Sequence, residues 1–184
     1  GGGGLAGGAG GGGSASDAGV FYVDPVNGLD TNSGLSPTFA WKTLGKASQT
    51  ALQPGAQVLV KGGEVISITS ANRIVPTASG TPGLPIVWSR YGGDGGRPIL
   101  EGGDAGNGQA IFLNSQSWHT VTGFEIRNIL NTYAVYLSNT SNVTLDDVHI
   151  HDVVEGIHPT PTTTTNAFTL RNSTIKNVRL TPDG

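Results

Sequence analysis

The sequence of 184 residues contains no cysteine and no methionine, and only 12% of it is charged. Without cysteine there is no metal-spaced Cys set and no disulfide. The redox compartment stays open, because a chain can be held together by backbone ladders alone. Positive charge is also scarce: 10 Lys and Arg face 13 Asp and Glu, for a net charge of −3. No basic stripe emerges, which argues against a nucleic-acid partner. No apolar run approaches the roughly 18 residues that a membrane-spanning helix needs. A nucleophile elbow and a phosphate-binding loop are likewise missing. The chain opens on Gly1 instead of an initiator Met, as expected of a processed product or a fragment.

Glycine, by contrast, is abundant, and 11 of the 30 glycines fall in residues 1–19, "GGGGLAGGAGGGGSASDAG". Almost nothing in that stretch can be buried, so residues 1–19 are expected to form a flexible tether.

Further on, the chain repeats itself. Gln109 to Ile129, "QAIFLNSQSWHTVTGFEIRNI", lies over Tyr133 to Val153 at an offset of 24 without a gap. Ala110 falls on Ala134, Ile111 on Val135, Phe112 on Tyr136, Leu113 on Leu137, Phe124 on Val148 and Ile126 on Ile150. A further copy, "FTLRNSTIKNV" from Phe168, lies over Val143 to Val153 at an offset of 25. A fixed period of this length marks a repeat architecture. Within each unit apolar residues alternate over short spans and Asn, Asp and Gly punctuate them, which is strand periodicity broken by turns. The regular Leu spacing of a leucine-rich repeat is missing. The fold class expected is therefore all-β, a parallel β-helix with about three short strands per turn and inward residues stacked on inward residues.

Residues 20–64 differ from the repeats. They read as a strand at Val20 to Val23, a Pro- and Asn-Gly-rich turn region, an amphipathic helix from about Trp41 to Leu52 with Trp41, Leu44, Ala47 and Ala51 on its apolar face, and a strand in "QVLVKGG". This segment is expected to cap the open end of the coil and protect its first edge. Residues 65–184 are expected to supply the rungs, with no recognisable cap at the far end.

The segments "FYVDPVNGLDTNSGLSPTFAWKTLGKA", "LQPGAQVLVKGG", "PIVWSRYGG" and "RPILEGG" resemble the N-terminal part of secreted bacterial right-handed parallel β-helix proteins of the pectate-lyase-like superfamily, over roughly residues 20–180. The resemblance implies a right-handed coil, a polysaccharide partner, and lyase or hydrolase chemistry on acidic polysaccharide in some members but not all. It also implies a secreted or cell-surface setting. A lipid anchor ahead of the Gly-rich tether is one form of this, and a plain linker is the other.

Three sets of residues are candidates for chemistry. Alternation puts Ile111, Leu113, Val135, Leu137 and Ile157 inside and leaves Phe112, Tyr136 and His158 outside in one column. Two rings and an imidazole could form a sugar platform, unless the insertion "PTPTTTTN" covers them. The repeat offsets place Arg127, His151 and Lys176 in a second outward column. Two fixed cations around a titratable group could serve a uronate lyase, which needs a base for the proton next to a carboxylate and cations for the resulting enolate; a solvated charged face is the other reading. In the resembling enzymes Lys or Arg commonly does this, often with Ca2+ bound by Asp and Glu.

The third set is "DDVHIHD" with Asp146, Asp147 and Asp152, near Glu155. These carboxylates could hold calcium. Yet Asp147 lies over Asn172, and Asp152 over Asn177 and Asn128, which is the pattern of a turn ladder. "DTNSG" at Asp30 reads as a turn in the cap. Two functional classes remain: an enzyme acting on acidic polysaccharide, and a non-catalytic glycan-binding or structural module, with self-association through an open last rung as a variant.

Overall fold

In the computed structural model, which describes residues 18–103, 108–160 and 166–179, the chain winds as a right-handed parallel β-helix. The first turn supplies β1 (Val20–Val23), a 3-10 turn at Pro37–Phe39 and a short helix α1 (Leu44–Gln49). The second supplies β2 (Gln57–Lys61) and β3 (Val65–Ser67). Full three-strand rungs follow: β4 (Ile86–Tyr91), β5 (Ile99–Gly103) and β6 (Ile111–Asn114); β7 (His119–Thr122), β8 (Glu125–Ile129) and β9 (Tyr133–Ser138); β10 (Ser141–Asp146), β11 (His149–Val153) and β12 (Glu155–Pro159). The last described turn holds β13 (Asn166–Arg171) and β14 (Thr174–Val178). Corresponding strands form three parallel sheets. The first is β1-β2-β4-β7-β10-β13, the second β3-β5-β8-β11-β14, and the third β6-β9-β12.

The register agrees with the repeat. Ile111 pairs with Val135 and Leu113 with Leu137, and Ile150 sits between Ile126 and Ile175. Even the irregular step of 22 residues that brings Ile157 onto Val135 is in place. Inside, Val58, Trp88, Val121 and Leu145 form one buried stack, and Ile66, Leu100, Ile126 and Ile150 another. Ile175 keeps the register but is 38% exposed, because no described rung lies above it. Phe168, Leu170 and Val178 are exposed in the same way.

The corners depend on residues that tolerate a left-handed backbone. Gly123, Asp147 and Asn172 turn the chain from the first sheet to the second, and Asn128 and Asp152 from the second to the third, with φ between 52° and 77°; Asn177 (φ 51°) holds the matching position on β14. Asn, Asp and Gly adopt this conformation at least cost, which is why the sequence repeats them there.

In the cap the helix is shorter than expected. Thr43 ends the extended backbone and its hydroxyl accepts the Lys46 N–H at 3.0 Å, while Asp30 accepts the N–H groups of Lys42 and Thr43. Trp41 is thereby kept out of the helix. It forms a bridge to Val23, stacks on Phe21 at 5.0 Å and donates its indole N–H to the Asn32 carbonyl. Ala51 lies beyond the helix and is exposed instead of facing the core. Gly34 (φ 74°) lies so close to the Trp41 ring that a Cβ would stand 2.4 Å from it. Most of the expected tether lies outside the described residues, but Ala18, near its end, is buried in the core.

A titratable side chain is sealed inside. His119 is fully buried between Ile86 and Val143, with Nε2 at 3.0 Å from the Ala78 carbonyl. Burial lowers its pKa from 6.5 to about 4. The unfolded chain therefore takes up a proton at a higher pH than the folded one. The stabilisation is complete above about 6.5 and is lost as pH falls toward 4. That difference corresponds to about 3 kcal/mol. Urea midpoints compared between pH 7 and pH 4.5 should fall steeply in the wild type and much less in His119→Gln; parallel declines would remove His119 as the cause.

The internal stack yields a second expectation. Ile150→Asp, in the buried column, should cost several kcal/mol, whereas Thr144→Asp, on the outer face of the first sheet, should cost no more than about 1 kcal/mol. Chemical denaturation of both variants reads the difference, and equal losses would mean that the register is wrong.

Candidate functional site

The outer face of the third sheet carries the aromatic column. Phe112, Tyr136 and His158 are register partners on β6, β9 and β12, so the backbone ladder sets their spacing. Phe112 and Tyr136 stack at 5.1 Å with 7° between planes, and Tyr136 and His158 at 5.8 Å and 8°. Tyr133, on the same strand as Tyr136, closes against the His158 imidazole at 3.9 Å. At the other end the Arg73 guanidinium lies 5.2 Å over the Phe112 ring and is held by Gln109 at 2.6 Å. Burial lowers the Arg73 pKa. His158 Nδ1 is 2.7 Å from Glu155 Oε1.

This geometry changes what the column offers a ligand. The rings lie face to face, so along the stack their faces are taken up by one another. A ligand on this side meets ring edges, the phenol groups of Tyr133 and Tyr136, and the imidazole. The remaining ring nitrogen of His158 is the group able to give or take a proton, with Glu155 orienting the ring. The Thr-rich insertion after Pro159 lies largely outside the described residues.

Arg127, His151 and Lys176 form a column on the second sheet, but carboxylates accompany it. Arg127 bonds Glu101 and also Glu125 at 3.0 Å. The Glu101 hydrogen bond is the main cause that raises the Arg127 pKa. His151 has Nδ1 at 2.6 Å from Asp152 and Nε2 at 3.3 Å from Glu125. Both of its nitrogens are engaged. Lys176 makes no ion pair among the described residues, and with Glu125, His149 and His151 it lines a cleft of about 240 Å³. The face as a whole is an ionic ladder, not a row of cations.

The four carboxylates of the third set do not converge. Asp146 binds Arg171 at 3.0 Å and the Asn172 amide at 2.9 Å. Asp147 binds Arg97 at 2.6 Å. Asp152 is held by His151 and by the Asn177 amide at 3.2 Å, and Glu155 by His158. These partners lower the pKa values of all three aspartates: Asn172 first for Asp146, Arg97 for Asp147 and His151 for Asp152. Among the described residues no group of three or more His, Asp or Glu is placed to hold a metal ion. The quartet does not fit one calcium ion.

No family model matches the chain, and no curated protein does. Two solved structures of the GH136 lacto-N-biosidase from Eubacterium ramulus do. The native protein matches with a TM-score of 0.63 at 21% identity over 88% of this chain and 34% of that one. The selenomethionine derivative gives 0.67 at 20% over 87% and 34%. A rhamnogalacturonan lyase superposes with 0.56 at 20% identity over 74% of this chain and 37% of its own. The likeness is one of fold. This chain spans about a third of the length of these proteins.

Sequence reasoning missed Tyr133, Arg73, Glu101 and Glu125. Glu125 lies two residues before Arg127 on β8, on the same outer face, a proximity visible in the sequence. Glu101 meets Arg127 across an offset of 26, outside the 24- and 25-residue copies. Arg73 precedes the repeats altogether and reaches the site through the bridge from Ile74 to Ile111.

The turn-ladder role of Asp152 (φ 54°) separates it from a metal ligand. Asp152→Asn should stay within about 1 kcal/mol of the wild type, with or without added calcium, while Asp152→Val should lose about 1–2 kcal/mol more from the forced left-handed backbone. A calcium-dependent gap between wild type and Asp152→Asn in urea melts would count against this role.

Proposed function

We propose that this chain is part of a carbohydrate-active β-helix protein that binds an acidic polysaccharide across the outer face of the third sheet. The observation that carries the reading is the continuous stack of Arg73, Phe112, Tyr136 and His158, with Tyr133 beside it and Glu155 on the imidazole. A cation at one end and an imidazole at the other suit carboxylated sugars. Among the described residues neither phenol hydroxyl has a hydrogen-bond partner, so both can bond sugar hydroxyls. The fold neighbours, a lacto-N-biosidase and a rhamnogalacturonan lyase, support a carbohydrate ligand, and a secreted or cell-surface setting suits one.

In the catalytic form of this reading His158 moves the proton. For elimination the neutral ring removes the proton next to the uronate carboxylate as the C–O bond to the leaving sugar breaks and a C=C bond forms, and for hydrolysis the protonated ring gives its proton to the leaving oxygen while water adds to the anomeric carbon, with Glu155 fixing the ring in either case. The non-catalytic form, a glycan-binding module, is favoured by one observation: among the described residues no carboxylate other than Glu155 touches this stack.

Affinity electrophoresis across several uronate polymers tests the binding face. Tyr136→Ala should weaken retention by at least about fivefold, equivalent to about 1 kcal/mol, with little loss of stability because the ring is outside the core. Unchanged retention in the folded variant returns the column to a structural role. Release of unsaturated or reducing ends that disappears in His158→Ala supports catalysis; retention without product in the wild type assigns the chain to the binding module.

A further inference from the structure

The outer face of the first sheet carries a groove that the preceding reading does not use. It encloses about 230 Å³ and is lined by Trp118, Pro85, Thr120, Thr144, Thr169 and Asn142, among others. We infer that this groove is a second carbohydrate subsite, selective for a neutral glycan strand running along the coil axis.

The first observation is conformational. Trp118 sits at a corner with φ 60°, where the following rungs place Asn142 (φ 55°) and Ala167 (φ 57°). A left-handed backbone disfavours a bulky side chain, and Asn one rung further shows what fits more cheaply. The ladder fixes the position from both sides: the Trp118 N–H donates to Ser141 at 3.0 Å and its carbonyl accepts from Ile86 at 3.0 Å. Among the described residues the indole has no hydrogen-bond or ring-stacking partner, yet it stands partly exposed at the groove wall, whereas Trp41 and Trp88 are buried. The strain displays an aromatic surface rather than filling the core.

The second observation is the floor. Thr144 pairs in register with Thr120 and with Thr169, so three hydroxyls stand in a rank at the roughly 4.8 Å spacing of adjacent strands. Among the described residues none of them has a hydrogen-bond partner, and neither does the Asn142 amide. Each can donate and accept, and the indole face beside them takes the C–H face of a pyranose.

The third observation is charge. Among the described residues no ionisable side chain lines the groove, while the neighbouring second sheet presents an ionic ladder. A ligand bound through hydroxyls and an indole, with no ion to neutralise a carboxylate, is a neutral sugar chain. This inference does not depend on the third-sheet reading.

Because the other two tryptophans are buried, emission changes on ligand addition report Trp118. Wild-type protein would be titrated with cellohexaose, laminarihexaose, β-1,4-galactohexaose and, as a charged comparator, hexagalacturonate. The expected result is a saturable shift with at least one neutral hexasaccharide and weaker binding of the charged one. Affinity of the variants is then read by calorimetry. Trp118→Asn should keep or raise the urea midpoint, since it relieves the backbone, and yet lose affinity by at least about fivefold. Thr144→Val, which removes the central hydroxyl and keeps the shape, should lose affinity several-fold. No response to any neutral hexasaccharide at millimolar concentration, or a Trp118→Asn variant that binds as well as wild type, overturns the proposal. So does an equal loss of neutral-sugar affinity in Tyr136→Ala, because it places the ligand on the third sheet.

Discussion

The parallel backbone ladder between successive rungs governs everything else in this protein. Each strand satisfies its N–H and C=O groups on the rungs before and after it, which leaves no freedom to slide: a shift of one residue would turn every inward side chain outward. Once the register is fixed, residues one period apart must stand about 4.8 Å from each other. The chain can choose which side chain occupies a column. It cannot choose whether that side chain meets its counterpart.

Enforced meeting explains why the three outer faces differ. Like aromatic residues at this spacing stack with nearly parallel planes, as Phe112 and Tyr136 do, and in stacking they occlude the faces that make isolated rings good sugar platforms. Like charges at the same spacing repel, so a column of Arg127, His151 and Lys176 persists only with Glu101, Glu125 and Asp152 set among its members. Hydroxyls neither occlude nor repel one another. The Thr120, Thr144 and Thr169 rank therefore keeps its hydrogen-bonding capacity toward solvent. A column's usefulness to a ligand depends on what its members do to each other before any ligand arrives.

The same ladder sets the limit of what the sequence discloses. From Gln109 onward the offsets of 24 and 25 are legible, and with them the inward stack of Ile126 and Ile150, the Arg127, His151 and Lys176 column, the Phe112 and Tyr136 pair and the Asn and Asp corners, while His158 joins that pair across a shorter step of 22. Before that point the spacing changes, with Leu100 meeting Ile126 at 26 residues and Ile86 meeting His119 at 33. Nothing in periodicity alone brings Arg73 to Phe112 or Glu101 to Arg127. Trp41 was misplaced for a different reason: its apolar character suits a helix face, but Thr43 and Asp30 compete for the local backbone and start the helix later. The carboxylates of "DDVHIHD" looked like one donor set because they are adjacent in sequence. On a coil with sharp corners, adjacency sends them to different faces and different partners.

Corners thus matter as much as columns for function. Asp147 and Asp152 look acidic and chemical, yet their left-handed backbones make them turn residues whose carboxylates bond Arg97 in one case and His151 and Asn177 in the other. Trp118 shows the converse. It occupies the same kind of corner without the shape that a corner favours, and its indole lies beside the Thr120, Thr144 and Thr169 rank. Where Asn, Asp or Gly stands at such a turn, the backbone alone explains the residue. Where Trp stands, the backbone argues against it, and the explanation has to come from the surface it presents.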